Sequence, residues 1–127
     1  MAEVIFASSY DEKNPPENVL DTTKKKFFAS TGMFPQEICI QYEPFKIVNS
    51  VSITSYGIKK VAIYTCENDS AVNFVKQAEK NDIPESNNSL QSTKLDLKKS
   101  PRVKVLKIEI LEGYEDFFSI HNIGVLW

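Results

Sequence analysis

Arginine, histidine and tryptophan are almost missing from this chain, which has one of each among 127 residues. The lone arginine, Arg102, argues against a clamp for phosphate or carboxylate groups, because arginine is the side chain best suited to bidentate contacts with them. The 15 basic and 17 acidic side chains leave a net charge of −2, unlike the basic surface of a typical nucleic-acid-binding protein. No segment approaches the ~20 apolar residues that a transmembrane helix needs. Nucleic-acid binding and membrane spanning are therefore disfavoured.

Cysteine is also scarce, with only Cys39 and Cys66. Each lies in an alternating apolar run, and the two are far apart in sequence, which is more typical of buried reduced thiols than of a disulfide or a metal pair. The N-terminal MAEVIFASSY has an early glutamate and no basic region, unlike a secretory signal. We therefore expect an intracellular protein.

The composition that remains is that of a globular protein, 42% hydrophobic and 25% charged. Two domains would each lack a sufficient core at this length, so we predict one domain over residues 1–127.

Alternation of apolar and polar residues with a period of two dominates the sequence. The alternating segments are short, rich in β-branched or aromatic residues, and bounded by Gly, Pro, Asn or Ser, as strands are. Predicted strands occupy residues 5–9, 37–42, 48–57, 59–67, 90–98, 102–111 and 117–127. Their mostly turn-sized separations favour an all-β, antiparallel β-sandwich. Residues 70–80 fit an amphipathic helix or an edge strand equally well, and residues 84–92 indicate an exposed loop.

Candidate catalytic groups are few. His121 lies two residues after Ser119, so both side chains project from one strand face. We expect them to point in parallel rather than converge, and no GxSxG nucleophile elbow is present. A hydrogen-bonding strand histidine is therefore favoured over a hydrolase site. Phosphate-binding loops of the form GxxxxGKS/T or GxGxxG are also missing.

Charged residues concentrate in three segments, 11–21, 24–26 and 112–116, and solvated turns explain all three better than catalysis or ligand binding does. The acidic residues are Asp11, Glu12, Glu17, Asp21, Glu112, Glu115 and Asp116, and the basic run is Lys24, Lys25 and Lys26. Within the first group, PPENVLD is the most specific stretch, because Pro15 and Pro16 stiffen the backbone that leads to Asn18 and Asp21. Their oxygens suit a hard cation or, more commonly, the capping of turns.

Three blocks of this sequence, in register, resemble one known family. SSYDEKNPPENVLD, STGMFPQEICI and LKIEILEGYEDFFSIHNI are similar to the intraflagellar transport protein 25 family, the small jelly-roll subunits of the ciliary IFT-B complex. The resemblance covers nearly the whole chain and is weakest over residues 67–100. It implies a galactose-binding-like (discoidin-type) jelly roll with no enzymatic activity.

The resemblance also implies a partner and a place of action. Members form a heterodimer with a Rab-like small GTPase, intraflagellar transport protein 27, and are carried in the IFT-B complex. On this basis we expect a role in ciliary transport of cargo, and localisation to the cilium or flagellum, the basal body and the cytoplasm.

A calcium site is a further implication of the resemblance, with ligands carried onto Asn18 and Asp21. A hydroxyl ligand of the family is replaced here by Lys26, and an acidic ligand falls at about Leu126, so two oxygen ligands are missing. We expect the Lys26 ammonium to stand beside Asp21 in place of the ion. Calcium binding is therefore expected to be weak or absent.

Two functions from different classes stay open. The leading one is an adaptor for the small GTPase, with the candidate contact residues Met33, Phe34, Tyr114 and Phe117, each of which could equally pack within the sandwich. The alternative is a discoidin-type module that recognises a glycan or a lipid head group. The scarcity of arginine and tryptophan disfavours a sugar site, and an enzyme is disfavoured further.

Overall fold

A computed structural model describes residues 2–23, 25–68, 70, 72–85 and 89–126. Within these ranges the chain forms nine strands and one short 3₁₀ helix, Pro16–Leu20. The strands are β1 (Ala2–Ala7), β2 (Phe28–Ser30), β3 (Gln36–Ile47), β4 (Ser50–Tyr56), β5 (Ile58–Cys66), β6 (Val75–Lys80), β7 (Gln91–Asp96), β8 (Arg102–Gly113) and β9 (Phe118–Leu126). None of the described residues forms a helix long and apolar enough to cross a membrane.

The strands build two sheets. The five-stranded sheet has the order β1-β3-β8-β5-β6, and the four-stranded sheet has the order β2-β9-β4-β7. Every neighbouring pair is antiparallel. The predicted all-β antiparallel sandwich is therefore confirmed.

The core follows from the period-two pattern, which places one set of apolar side chains on the inner face of each sheet. Ile38, Ile108 and Ile63 align across β3, β8 and β5, and each is 0% exposed. Phe118 and Ile120 of β9 face them from the four-stranded sheet and are equally buried. Each such side chain stabilises the fold by roughly 1.5–3 kcal/mol relative to an exposed one.

A smaller apolar cluster contains both cysteines. Cys39, Cys66 and Val105 form it, and the half-buried Phe74 packs against them. Cys39 pairs with Lys107 and Cys66 with Val105, on opposite sides of β8. Two strand spacings, about 10 Å, therefore separate the backbones of β3 and β5, whereas a disulfide needs Cα atoms within about 7 Å. Both cysteines are free and buried, as predicted.

Of the two alternatives left open for residues 70–80, the structure has the edge strand, β6, paired with β5. Two other strands differ from the expectation. The first strand is β1, which begins at Ala2 and ends at Ala7 rather than covering residues 5–9. Strand β2 was not predicted, because its three residues are too few to show a period. The predicted loop over residues 84–92 lies partly outside the described residues, and β7 begins at Gln91.

Candidate functional site

The double proline begins the 3₁₀ helix. Pro15 is extended, with φ −71° and ψ 160°, and Pro16 occupies the first helical turn, where a missing N–H costs no hydrogen bond. The main-chain N–H of Asn18 donates to Pro15 O at 3.1 Å, and that of Asp21 donates to Asn18 O at 3.1 Å. Val19 is buried in the core. The predicted stiff loop is therefore a helical turn anchored by the buried side chains of Pro16 and Val19.

The first acidic residue of this region, Asp11, caps a turn. The Asp11 carboxylate accepts hydrogen bonds from the Lys13 main-chain N–H and the Asn14 side-chain amide, both at 3.1 Å. Asp11 and Asn14 also form an isolated β-bridge. The turn role predicted for these acidic residues is confirmed at Asp11. Of the basic run, Lys25 and Lys26 are exposed, and Lys24 lies outside the described residues.

The Asp21 carboxylate is held by three hydrogen bonds from its own loop. The Thr23 hydroxyl donates to it at 2.8 Å, the Thr23 main-chain N–H at 3.1 Å, and the Lys26 main-chain N–H at 3.1 Å. The Thr23 hydroxyl, followed by its N–H, holds the pKa of Asp21 below the ordinary 3.8, and the Lys26 charge adds a weaker effect in the same direction. Lys26 therefore contacts Asp21 through its main chain, where the sequence predicted an ammonium contact.

One asparagine of β9, which the sequence reasoning missed, ties this loop to the sheet. The Asn122 side-chain amide donates to Val19 O at 3.2 Å and to Asp21 O at 3.0 Å. The Asn18 amide closes the other side of the loop by donating to Phe27 O at 2.9 Å. Leu126, where the family's acidic ligand was expected, is 57% exposed at the end of β9. In the sequence, a polar asparagine within a largely apolar predicted strand was the feature that could have pointed to Asn122.

Calcium takes six to eight oxygen ligands, and the donors gathered here do not fit that requirement. The Asp21 oxygens already accept hydrogen bonds, and the described residues contain no group of three or more His, Cys, Asp or Glu that could hold a metal ion. The adjacent cleft, about 390 Å³, is lined by Lys13, Lys25 and Lys26, whose charges repel a cation. Weak or absent calcium binding remains a prediction.

Ser119 and His121 meet on β9, with Ser119 Oγ and His121 Nε2 3.2 Å apart. The expectation that the two side chains point in parallel without converging is wrong, because the hydroxyl and the imidazole nitrogen lie within hydrogen-bonding distance. The imidazole also stacks on Phe27, with ring centroids 5.1 Å apart and planes at 29°. The prediction of a hydrogen-bonding strand histidine is confirmed. Ser119 itself is 8% exposed.

Two of the candidate contact residues are exposed. Met33 has 89% of its surface in solvent and Phe117 has 40%. Phe117 stacks on Tyr56, with ring centroids 5.9 Å apart and planes at 25°. These two side chains are available to a partner, and their role in binding stays a prediction.

The other two candidates belong largely to the scaffold. Phe34 is half-buried and packs against Phe118, with ring centroids 5.8 Å apart. Gly113 allows this approach, because a Cβ there would lie 2.6 Å from Phe34 Cζ. Tyr114 is half-buried, and its hydroxyl donates to the main-chain oxygen of Ile83. Substituting Phe34 or Tyr114 would therefore disturb packing as well as any contact with a partner.

No protein-family profile matches the chain, but curated proteins do. It is 31% identical over 122 residues to the mouse intraflagellar transport protein 25 homolog, a match that covers 96% of this chain and 84% of the mouse protein. The human homolog is 31% identical, with 97% and 84% covered. The chain belongs to the intraflagellar transport protein 25 family. The family resemblance noted in the sequence is thus confirmed. Against intraflagellar transport protein 25 of Chlamydomonas reinhardtii, the chain is 32% identical and spans 64% of its length.

Solved structures share the fold of this member of the intraflagellar transport protein 25 family. The family 32 CBM from Clostridium perfringens NanJ in complex with galactose matches with a TM-score of 0.78, 19% identity and 98% of each chain covered. Chitosan-binding module 1 of a Paenibacillus chitosanase/glucanase matches with a TM-score of 0.83, 14% identity, and coverage of 100% and 94%. These likenesses confirm the galactose-binding-like jelly roll.

Proposed function

We propose that this chain is a non-enzymatic subunit of intraflagellar transport. The observation that carries the proposal is the 31% identity to the mouse and human intraflagellar transport protein 25 homologs over nearly the whole chain. On this proposal residues 1–127 act as one domain, and the protein works at the cilium or flagellum, with pools at the basal body and in the cytoplasm.

The proposed partner is a Rab-like small GTPase, intraflagellar transport protein 27, with which the chain forms a heterodimer within the IFT-B complex and supports cargo transport. Exposed large apolar side chains support a permanent partner, since such side chains gain stability when covered. Met33 is the most exposed of them, and Phe6, Tyr10 and Phe117 are each 40% exposed or more.

The geometry around the one serine–histidine pair supports a non-enzymatic role. Ser119 is buried, and the imidazole of His121 lies against the ring of Phe27. A nucleophile must be reachable by its substrate, and this hydroxyl lies within the wall of the sandwich. A hydrolase would require the β9 surface to open.

Size-exclusion chromatography of the chain mixed with the GTPase from the same organism tests the proposal. We expect one peak of one-to-one stoichiometry, and a Met33→Asp variant that shifts toward two peaks. The matched control is Val75→Asp, since Val75 is 58% exposed on β6 beside Thr65, at the end of β5 that is far from Tyr114. Two separate peaks, both when the GTPase is loaded with GDP and when it is loaded with GTP, would overturn the proposed partnership.

The alternative is a ligand-binding module of the discoidin type. Its support is the fold shared with the CBM that holds galactose, and no more. A glycan array and a lipid overlay test it directly, with that galactose-binding CBM as the positive control on the array. We expect no binding by this chain, and a reproducible glycan or lipid signal would favour the alternative.

A further inference from the structure

A cleft of about 420 Å³ opens beside the start of β1 and is lined by residues of both sheets. The five-stranded sheet contributes Ala2 and Tyr42, and the four-stranded sheet contributes residues 122–125 of β9. Leu20 and Thr22 come from the end of the 3₁₀ helix and the turn that follows it. The volume lies within the range of pockets that hold small molecules, about 300–1,000 Å³.

Tyr42 brings an unpaired hydroxyl to this cleft. The residue pairs with Ala2 across β3 and β1, belongs to the core and is 5% exposed. Among the described residues its hydroxyl has no hydrogen-bond partner, and burial alone raises its pKa, with no contribution from a hydrogen bond or a charge. Every polar side-chain atom in the described part of the chain that is sealed from solvent has a partner. The Tyr42 hydroxyl therefore opens into the cleft.

Strand β9 presents unpaired main-chain groups to the same cleft. Strand β2 pairs with β9 only over residues 118–120, whereas β4 pairs with it as far as Leu126. The 3₁₀ helix and its following turn cover the β2 side of β9 at Asn122, whose amide bonds to Val19 O and Asp21 O. Beyond that point no main-chain hydrogen bond joins residues 123–125 to a described element other than β4. Their outward N–H and C=O groups are available to a ligand.

The other walls of the cleft are apolar and uncharged. Leu20 and Val125 are half-buried and pack against the core, and Ile123, which is 4% exposed, lies at the bottom with Tyr42. None of the described lining residues carries a charge. A charged ligand group would lose hydration here without gaining an opposite charge. The cleft therefore favours an uncharged ligand.

We propose that this cleft binds an uncharged aliphatic molecule that carries one hydroxyl or amide group. The aliphatic chain lies against Leu20, Ile123 and Val125. The polar group lies beside the Tyr42 hydroxyl, which both donates and accepts hydrogen bonds. Water occupies that position in the free protein, and a ligand that displaces it must offer a polar group in its place. The main-chain edge of β9 supplies a second hydrogen bond.

A sugar fits this cleft less well than an aliphatic molecule does. A sugar carries a hydroxyl on nearly every carbon, and a hydroxyl buried without a partner costs free energy. The described lining offers three polar side chains, Thr22, Tyr42 and Asn122, and the Asn122 amide already donates within the protein. The inference is therefore distinct from the glycan-binding alternative.

The cleft is also separate from the candidate partner contacts. The Gln36 side-chain amide donates to Met33 O at 2.7 Å, and Gln36 begins β3. Tyr42 lies further along the same strand, about 20 Å from Gln36 at the usual rise of a strand. Ligand binding can therefore be measured on the chain alone, and its outcome does not depend on the proposed GTPase partnership.

NMR titration of the isotope-labelled chain with hexan-1-ol and with hexanamide tests the proposal. We expect saturable shifts confined to the amides of Leu20, Thr22, Tyr42 and residues 122–125. The expected Kd is at or below about 5 mM, in keeping with the affinity per atom of small ligands. Hexanoate, which has the same chain and a carboxylate, is the matched ligand control. It should bind at least about tenfold more weakly, because no cation lines the cleft.

One variant tests the hydrogen bond assigned to the cleft. Tyr42→Phe removes only the hydroxyl and should weaken hexanamide binding about fivefold, the effect of one lost hydrogen bond. Its Tm should equal or exceed that of wild type, since the hydroxyl has no partner among the described residues. The matched control is Tyr10→Phe, which removes the hydroxyl of a residue that is 53% exposed outside the cleft and should bind like wild type.

Several outcomes would overturn the proposal. Titrations with hexan-1-ol and hexanamide that produce no saturable shifts would show that the cleft does not bind this class of molecule. Equal affinity of Tyr42→Phe and wild type, or an equal loss in Tyr10→Phe, would place the binding elsewhere. Hexanoate binding as tight as that of hexanamide would contradict the uncharged class. A lowered Tm of Tyr42→Phe would show that the hydroxyl bonds within the protein and is not available to a ligand.

Discussion

The side-chain amide of Asn122 donates a hydrogen bond to the main-chain oxygen of Asp21 at 3.0 Å, across 101 residues of sequence. Its second acceptor, Val19 O, lies in the 3₁₀ helix at 3.2 Å. One side chain of β9 therefore fixes the polar segment that follows β1. The double proline and the acidic residues of that segment form a corner of the scaffold.

Replacing Asn122 should loosen this corner. Asn122→Ala leaves two half-buried main-chain oxygens without their donor, and we expect a loss of about 1–3 kcal/mol in the free energy of unfolding. Urea denaturation measures it. The control, Ser92→Ala on the exposed face of β7, should change stability by less than about 0.5 kcal/mol. Equal stability of Asn122→Ala and wild type would show that the corner holds without this contact.

Calcium should leave the protein unaffected. Since the Asp21 oxygens accept hydrogen bonds from Thr23 and Lys26, addition of millimolar Ca²⁺ should not raise the Tm, and chelation by EDTA should not lower it. Isothermal titration calorimetry gives the direct answer. A Kd below about 10 µM, in the range of calcium sensor proteins, that disappears in Asp21→Ala would contradict this prediction.

The same carboxylate should contribute a pH-dependent stability. Hydrogen bonds from Thr23 hold the pKa of Asp21 below 3.8 in the folded protein, so its contribution is present above the unfolded pKa of about 3.9 and is lost as the pH falls through the folded value. The stability difference between wild type and Asp21→Asn should therefore shrink upon acidification below about pH 4. Titration of Asp21 by NMR at or above 3.8 would contradict the assigned hydrogen bonds.

Adjacent phenylalanines should behave oppositely upon substitution. Phe118 is 0% exposed and packs edge-on against Phe28, with ring centroids 5.8 Å apart, so Phe118→Ala should cost about 3–5 kcal/mol of unfolding free energy. Phe117→Ala should cost less than about 1 kcal/mol and should weaken partner binding instead. Thermal unfolding and calorimetric titration with the GTPase together distinguish the two effects. A severe stability loss in Phe117→Ala would remove Phe117 from the interface.

The thiols should resist modification until the protein unfolds. Burial, aided by the charge of Glu37, raises the pKa of the Cys39 thiol to about 11, so the reactive thiolate is scarce at pH 8. We expect Ellman's reagent to label Cys39 and Cys66 slowly in native protein and rapidly in urea. Treatment with diamide should form no intramolecular disulfide. A native disulfide would require β3 and β5 to approach each other across β8.

Period and composition predicted the fold well wherever one strand face is buried. The alternation of Leu106, Ile108 and Ile110 with charged residues corresponds directly to β8, whose inner face they form. The same reasoning left residues 70–80 undecided, because an edge strand such as β6 buries little on either face. It also missed the 3₁₀ helix. A single helical turn shows no hydrophobic repeat, and the prolines at its start are found in loops as well as at the first turn of helices.

The candidate site was less predictable than the fold. Asn18 and Asp21 were identified from the sequence as polar loop residues. Both form hydrogen bonds within the loop. The contact from Asn122 depends on β9 packing beside the helix, which no local pattern encodes. The meeting of Ser119 with His121 depends on side-chain rotamers that strand periodicity leaves open.

Strand β8 lies between β3 and β5 in the larger sheet, yet all but one of the other strands precede it along the chain. While the chain is being synthesised, β1 with β3 and β5 with β6 are two separate units, and Ile38 and Ile63 have no Ile108 between them. The sheet therefore closes only after residues 102–113 leave the ribosome. A chain truncated before Arg102 would contain two strand groups with exposed apolar faces and no β8 to join them, and such surfaces are prone to aggregation.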